Sequence, residues 1–496
     1  MKIIQTHSRS PTDFSDMEKE WIYNGLDCCI TSEVLDALLP QLDNHTAATY
    51  NFSKSLQGPV LEMRLRGILV DAQRKAEVID EFYEKIDQLE AQLERIVFEG
   101  VGVAGFNWRS RDDLQHVLYD RLKIPTMMKG GRPTVDRNAL EKMENYLLAR
   151  PIVRHLMTMR DIAGKIKVLK QGVDPDGRVR TSYNIAGTST GRFSSSFSEF
   201  GTGGNLQNIE ESLRSIFISD RGYKFAKFDA KSGESFVVGS LEWNLFKDAR
   251  YLEACETGDP HTATARICWP GLGWTGDLKH DKDIAEQPFY RHYTYRFMCK
   301  KLGHGSNYRG QPETLAQQSQ LPVQVVREFQ PKYFAAFPAH LRWHAWTEAE
   351  LYRTGTIISL MGRKRKFWGR RNSDDTLREA MAYDPQESLA TIVNRAMLRL
   401  WPERRAIIML QDHDALTWMY PEKDEDKVVP WLLANLPETI PLSHNRTLTI
   451  PYDCKTGWNR GDYHPKTNPD GLKDFYGHDD RKRTPAVHWL DRKRRG

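Results

Sequence analysis

Cysteine is scarce in this 496-residue chain: Cys28, Cys29, Cys255, Cys268, Cys299 and Cys454, with no CxxC pair and only one adjacent pair. That spacing argues against a disulfide framework or a zinc cluster, and it suits a reducing cytosol. No apolar run approaches the ~18 residues that a membrane helix needs, so no membrane partner is expected. The opening Met1-Lys-Ile-Ile-Gln-Thr-His7 lacks the apolar stretch of a secretory signal. Internal repeats and heptad arrays are also missing. What is present is enough to fold: 40% hydrophobic, 28% charged and 10% aromatic residues exclude wholesale disorder. At roughly 150 residues per domain, the length allows about three domains.

The net charge is only +5, but it is unevenly placed. Residues 478–496 hold seven basic residues and three aspartates, a net +4. Arg353 to Arg371 holds seven basic and no acidic residues, and includes Arg363-Lys-Arg-Lys366 followed by Phe367 and Trp368. Basic residues interleaved with aromatics suit a phosphate backbone. The same pattern also describes a solvated hairpin and tail.

Hydrophobic spacing predicts an amphipathic helix over 16–40, capped by Ser15 or Asp16. It predicts a long charged helix over 72–98, ended by Gly100, Gly102 and Gly105, and further helices over 111–122, 136–148, 151–170, 284–302 and 386–401. Met128–Thr134 reads as an exposed basic tip. Strands are expected at Arg178–Asn184 and Tyr223–Asp229, with a hairpin formed by Ala406–Leu410 and Leu416–Tyr420 around Gln411-Asp-His-Asp414.

Three constellations carry chemistry. Asp229 and Asp414 each follow an apolar strand, and two carboxylates on adjacent strand ends can clamp two hard cations for in-line phosphoryl transfer. Alone, each also reads as a turn or cap residue. Arg296, Lys300, His304 and Tyr308 recur every four residues. On a helix they form one slanted stripe, cationic at one end and aromatic at the other, suited to a ligand with a polyphosphate and a base. An ordinary polar helix face has the same pattern. Thr188–Ser195 and Gly203–Ile209 offer small residues, amides and Arg192 for sugars, phosphates and groove edges, or else form a plain Ser/Gly loop.

Together and in this order, the segments resemble the family A DNA polymerases, the group of bacterial DNA polymerase I and many phage replicases. Thr190-Gly-Arg192 with Asn205-Leu-Gln-Asn-Ile209 resembles the primer–template loop. Asp229-Ala-Lys-Ser-Gly-Glu234 is similar to motif A, Arg296…Lys300…His304…Tyr308-Arg-Gly310 to motif B, and Gln411-Asp-His-Asp414 to motif C. The resemblance covers roughly 55–460. It implies an α+β right-hand fold, with an antiparallel palm sheet and helical fingers and thumb. It also implies template-directed DNA synthesis with two magnesium ions, and primer–template DNA and dNTPs as partners. Catalysis and metal binding would fall to Asp229 and Asp414, with the Ala230 carbonyl as a further ligand. Arg296, Lys300 and His261 would meet the triphosphate, and His304 and Tyr308 the nascent base pair. Glu234 would exclude a 2′-hydroxyl. Arg192, Asn205, Gln207, Asn208, Arg378, Gln386 and His413 would contact primer or template. A single-subunit RNA polymerase is the alternative within this chemistry, and a catalytically silent DNA-binding subunit is the alternative outside it.

The sequence departs from the family at four places. His304 stands where Phe or Tyr is usual, and Ala415 where an acid often follows motif C. Ala230 and Gly233 replace a Tyr and an aliphatic residue of motif A. Tyr23-Asn-Gly-Leu-Asp27 is similar to the YxxxD motif of a 3′–5′ exonuclease domain, but the strands bearing the other ligands are missing upstream. The expected layout is an exonuclease remnant at 1–45, linker helix and thumb at 46–180, and palm at 181–259 and 351–460. Fingers at 260–350 and a basic tail at 461–496 complete it. Incomplete proofreading in this chain makes a separate exonuclease polypeptide an expected partner.

Overall fold

The computed structural model describes residues 11–199 and 201–475. Residues 1–10 of the expected exonuclease remnant, and the basic segment 478–496, lie outside the described residues. The chain forms two compact units. One comprises residues up to Gln57, Glu234–Ile392 and Pro441–Leu448, and the other Gly58–Gly233, Val393–Ile440 and residues from Thr449 on. These breaks cross the expected segment boundaries, and one falls between the Asp229 strand and Glu234.

The second unit contains a five-stranded sheet in the order Ile407–Asp412, Ala415–Pro421, Tyr223–Ala230, Tyr452–Gly457, Lys473–Asp474, antiparallel throughout. Its central strand is buried at Phe225, Ala226 and Phe228, and the Ala415–Pro421 strand is buried at every position but its last. Strands covered on both faces read as continuous apolar runs rather than alternating ones. The expected Tyr223–Asp229 strand and the hairpin are therefore present where the apolar runs placed them.

The same unit holds a helical cluster. The Ala72–Val101 helix starts at Asp71, whose carboxylate accepts from the Arg74 N–H. It stops at Gly102, in the left-handed region at φ 73°. Its Ile86, Leu93 and Val97 bury against Ile152, Leu156, Met159 and Ile162 of the Arg150–Leu169 helix. The 111–122 helix changes to a π turn at His116–Arg121, and the 136–148 helix is shorter, Arg137–Met143.

In the first unit, the expected continuous helix over 284–302 is not found. A short hairpin, Pro288–Tyr290 with Tyr293–Thr294, separates the Leu278–Ala285 helix from Tyr295–Asn307. Pro288 lacks a helix-bonding N–H, Arg291 turns at φ 53°, and Phe289 and Tyr295 pack on Trp269 instead. The 386–401 helix is longer than expected, Asp374–Leu400, and carries Pro385 internally. Arg178–Asn184 divides into two short strands, Arg178–Val179 on Ile68–Leu69 and Ser182–Asn184 on Ser194–Ser196. Between them Arg180 turns to pair with Asp174 and Asp176.

The Asp16–Leu38 helix forms as expected, with Ser15 and Glu18 completing a capping box. It buries none of its residues, so its apolar side chains do not serve a core.

Leu156 is fully buried in the helical cluster. Leu156→Ala should lower unfolding stability by about 2–5 kcal/mol, read as a lower denaturant midpoint at unchanged m-value.

Candidate active site

Register places the two aspartates. Asp412 pairs with Ala415, leaving His413 and Asp414 as a two-residue turn, and Ala415 pairs in turn with Asp229. The Ala230 N–H donates to the Asp414 carbonyl at 3.1 Å, pinning the turn to the end of the central strand. The turn itself is strained: His413 has φ 59°, a region that non-glycine residues seldom occupy. Surrounding side chains hold it. Gln207, buried, donates to the Gln411 carbonyl at 2.9 Å, and the Gln411 amide donates to the His413 carbonyl at 2.7 Å. The Tyr183 hydroxyl also meets the Gln411 carbonyl, and Arg460 donates to Asp412 at 2.6 Å.

Burial and the nearby Asp414 charge push the Asp229 carboxyl up to about 6, with Lys227 opposing the rise. Asp229 opens onto a cleft lined by Arg214, Lys227, Asp453, Lys455, Arg460 and Asp462. Two buried atoms near the turn, Asp412 Oδ1 and His413 Nδ1, have no partner among the described residues. Unsatisfied buried polar atoms are uncommon and suit a site that something else completes. The donors present are hard oxygens, which fit a hard divalent cation. Among the described residues, no three His, Cys, Asp or Glu side chains gather into a metal cage. An open site with two carboxylates matches the way magnesium is usually held, with substrate phosphates and water supplying the remaining ligands.

Asp453 was not singled out from the sequence. It stands directly opposite Asp229 on the Tyr452–Gly457 strand, its carboxylate 3.8 Å from Lys231. Only the strand register, invisible until the sheet is built, could reveal it.

The stripe of four forms in the first unit. The Tyr295–Asn307 helix is capped by the Thr294 hydroxyl, which accepts from the Phe297 N–H. It buries Met298, Cys299, Leu302 and Ser306, so Arg296, Lys300, His304 and Tyr308 share the opposite side. Lys300 is exposed and has no ion pair among the described residues. Arg296 is already engaged, 2.8 Å from Asp259. His261 lies in the first turn of the Pro260–Cys268 helix, and its imidazole is lowered to about 4 by burial and by Arg296. It is neutral at physiological pH. The Tyr308 hydroxyl donates to the Glu234 carboxylate at 2.5 Å, and His304 lies edge-on to Tyr308 at 5.1 Å.

A buried network fixes this end of the helix. His340 touches Glu242 through Nδ1, and its Nε2 lies 3.0 Å from the Tyr333 hydroxyl. Tyr333 donates to Asn307 at 2.7 Å, and Asn307 donates to Tyr251 at 3.1 Å. Tyr251 reaches Ser235, and His344 contacts the Asn307 carbonyl at 2.8 Å. Two of its members, Ser235 and Asn307, adjoin Glu234 and Tyr308 in the chain. Since Tyr333 has one proton and gives it to Asn307, His340 Nε2 must be the donor to Tyr333.

The remaining expected contacts are dispersed. Asn205 caps a short turn, its side-chain oxygen accepting from Ser195 and from the Asn208 N–H. Asn208 is exposed and 3.4 Å from His413. The Arg192 carbonyl accepts from Thr188. Arg378 pairs with Asp374 and Asp375 on its own helix, and Gln386 is half-buried on the same helix. Tyr23 and Asp27 are exposed one turn apart, and no three potential metal ligands gather there among the described residues.

The fold is the α+β polymerase fold. A solved structure described as the POL domain of Pol1 from M. smegmatis in complex with DNA primer-template and dNTP aligns with a TM-score of 0.63 at 22% identity, covering 82% of this chain and 69% of that one. The profile of DNA polymerase family A matches residues 73–463, and the chain belongs to that family. Among its relatives, the thermostable DNA polymerase I of Thermus aquaticus is 27% identical over 76% of this chain and 44% of its own length. DNA polymerase I of Chloroflexus aurantiacus is 28% identical over 86% and 45%, and that of Treponema pallidum 26% over 89% and 43%. The chain spans about half the length of the curated relatives it matches. No described helix is long and apolar enough to cross a membrane.

A dication held at Asp229 would compete there with a proton, so magnesium should bind progressively more weakly as pH falls through about 6. The apparent Kd from titration calorimetry on the purified chain should rise about tenfold per pH unit below that point, and Asp229→Asn should remove the dependence.

Proposed function

We propose that this chain is a DNA-directed DNA polymerase, adding dNTPs to a primer 3′ end in replication of the phage type. The observation that carries the reading is the register that sets Asp414 against the end of the Asp229 strand in a chain of family A. Asp229 and Asp414 would hold two magnesium ions, with the Ala230 carbonyl as a further ligand. Ions bound there would activate the primer hydroxyl and offset charge on the departing pyrophosphate.

The chain's own side chains supply the rest. Lys300, exposed and unpaired, meets the triphosphate. Arg296 reaches it from a position set by Asp259, and the neutral His261 contributes hydrogen bonding rather than charge. Tyr308 and His304 offer ring faces to the nascent pair. Glu234, held by the Tyr308 hydroxyl, occupies the space that a 2′-hydroxyl would need. That contact favours deoxynucleotides over the ribonucleotides of an RNA polymerase. Arg192, Asn205, Asn208, His413, Arg378 and Gln386 would contact primer or template, while Gln207 acts through the Gln411 carbonyl. In this reading 46–180 is linker and thumb, 260–350 the fingers, and 181–259 with 351–460 the palm. A separate 3′–5′ exonuclease polypeptide would supply the acids that Tyr23 and Asp27 lack.

Asp229→Asn and Asp414→Asn should each lower primer extension at least a thousandfold, while affinity for primer–template changes little, because many cations share the phosphate backbone. Extension at the parental rate in either variant would refute the assignment. Glu234→Ala should raise the ratio of ribonucleotide to deoxyribonucleotide incorporation, measured by single-nucleotide extension; an unchanged ratio would remove Glu234 from sugar selection.

A further inference from the structure

The basic, aromatic segment between Arg353 and Arg371 is not used by the chemistry above. It folds as a hairpin, Thr356–Ile358 paired with Lys364–Lys366, within the first unit. Strand alternation sorts its side chains. Ile357 and Phe367 are buried with Leu351, Leu377, Ala380 and Tyr383, and Arg365 lies over the Phe367 and Tyr383 rings. Lys364, Lys366 and Trp368 alternate with them and are exposed, Trp368 at 84%.

The hairpin is firmly held. Tyr383 donates to the Arg363 carbonyl at 2.9 Å, and the Leu360 N–H donates at 2.8 Å to Asp384, a buried carboxyl pushed up to about 7 by that burial. His45 meets the Gly362 carbonyl, and Lys364 pairs with Asp43. Phe367 extends the pairing through its N–H to Gly355. The residue just inside the core thus fixes the direction of the one just outside it. The Lys366 ammonium sits 4.2 Å over the Trp368 ring. Lys366 and Arg370 have no carboxylate partner among the described residues, whereas Arg353 and Arg365 do.

We propose that this hairpin is a docking platform for an unpaired nucleic-acid strand, with a base stacked on Trp368 and phosphates held by Lys366 and Arg370. An indole left in water forfeits the gain from burying its apolar surface. Carried next to the held Phe367 and flanked by Lys366 and Arg370, it matches the combination that binds single strands, an aromatic platform among basic side chains. A base inside a duplex has no free ring face to offer, so the platform selects unpaired strands. A firmly held loop also lowers the ordering cost of binding. The inference rests on the reading above only in taking DNA as the nucleic acid.

The test measures fluorescence anisotropy of the full chain with labelled oligodeoxythymidylate and with a blunt DNA hairpin. Trp368→Ala should weaken oligodeoxythymidylate binding about tenfold and leave the blunt hairpin unaffected, while Trp368→Phe keeps most of the affinity. Lys366→Gln with Arg370→Gln should reduce the slope of log K against log salt by about 1.4. Parental affinity of Trp368→Ala for the single strand, or equal losses on both ligands, would overturn the proposal. Self-association abolished by Trp368→Ala, with single-strand binding intact, would overturn it in favour of a second copy. Primer extension is scored separately: single-strand binding through Trp368 without any extension supports the platform and sinks the polymerase reading.

Discussion

The structure around the candidate site depends on one electrostatic constraint: two aspartates that repel each other must be held side by side. Isolated in water, Asp229 and Asp414 would separate. The antiparallel register denies them that freedom, because Asp414 follows a strand end whose partner pairs with the Asp229 strand. The Ala230 N–H to Asp414 carbonyl bond leaves the turn no room to swing away. Burial first, and the Asp414 charge second, raise the Asp229 carboxyl in this confined position. The strained His413 backbone is the conformational trace, and Gln207, Gln411, Tyr183 and Arg460 hold the turn in place. A site under such repulsion gains most from a cation, because neutralisation relieves energy already present in the fold.

The first unit solves a different problem, precise spacing without charge repulsion. Glu234 and Tyr308 lie on different helices, and their contact requires those helices to keep their separation to within a fraction of an ångström. Apolar packing tolerates small slippage, whereas a chain of hydrogen bonds with one proton each does not. The path from Ser235 through Tyr251, Asn307, Tyr333 and His340 to Glu242 is of the second kind. Burial raises the Glu242 carboxyl, and its second oxygen has no partner among the described residues, which makes the network expensive to disturb.

Motif spacing made Asp229, Asp414, Glu234 and the four-residue stripe legible, because each spacing translates directly into a strand end or a helix face. Apolar runs likewise located the central strand and the Gln411–Asp414 hairpin. What stayed hidden depends on partners remote in sequence. The break in the expected 284–302 helix follows from aromatic residues packing on Trp269, against a periodicity that still counted as helical. Asp384 and Glu242 look like ordinary helix acids until the fold buries them. The 16–40 helix was correctly placed, yet its apolar residues gave no hint that none would be buried.

The Ala415 departure takes on a definite meaning once the register is known. Cross-strand partners share a face of a sheet, so the face around Asp229 is furnished by Ala415 on one side and Asp453 on the other. An acid missing from the motif C hairpin is thus matched by one on the opposite neighbour, and the negative character of that face is kept. The next positions along, Lys227 and Lys455, are also directly paired, which sets a pair of cations beside the pair of acids. Like charges directly opposite destabilise a sheet, but here each pair lies one step from its opposite. Local neutrality therefore comes from Lys227, 3.8 Å from Asp229 along its own strand, and from Lys231, 3.8 Å from Asp453 just past the end of the neighbouring strand.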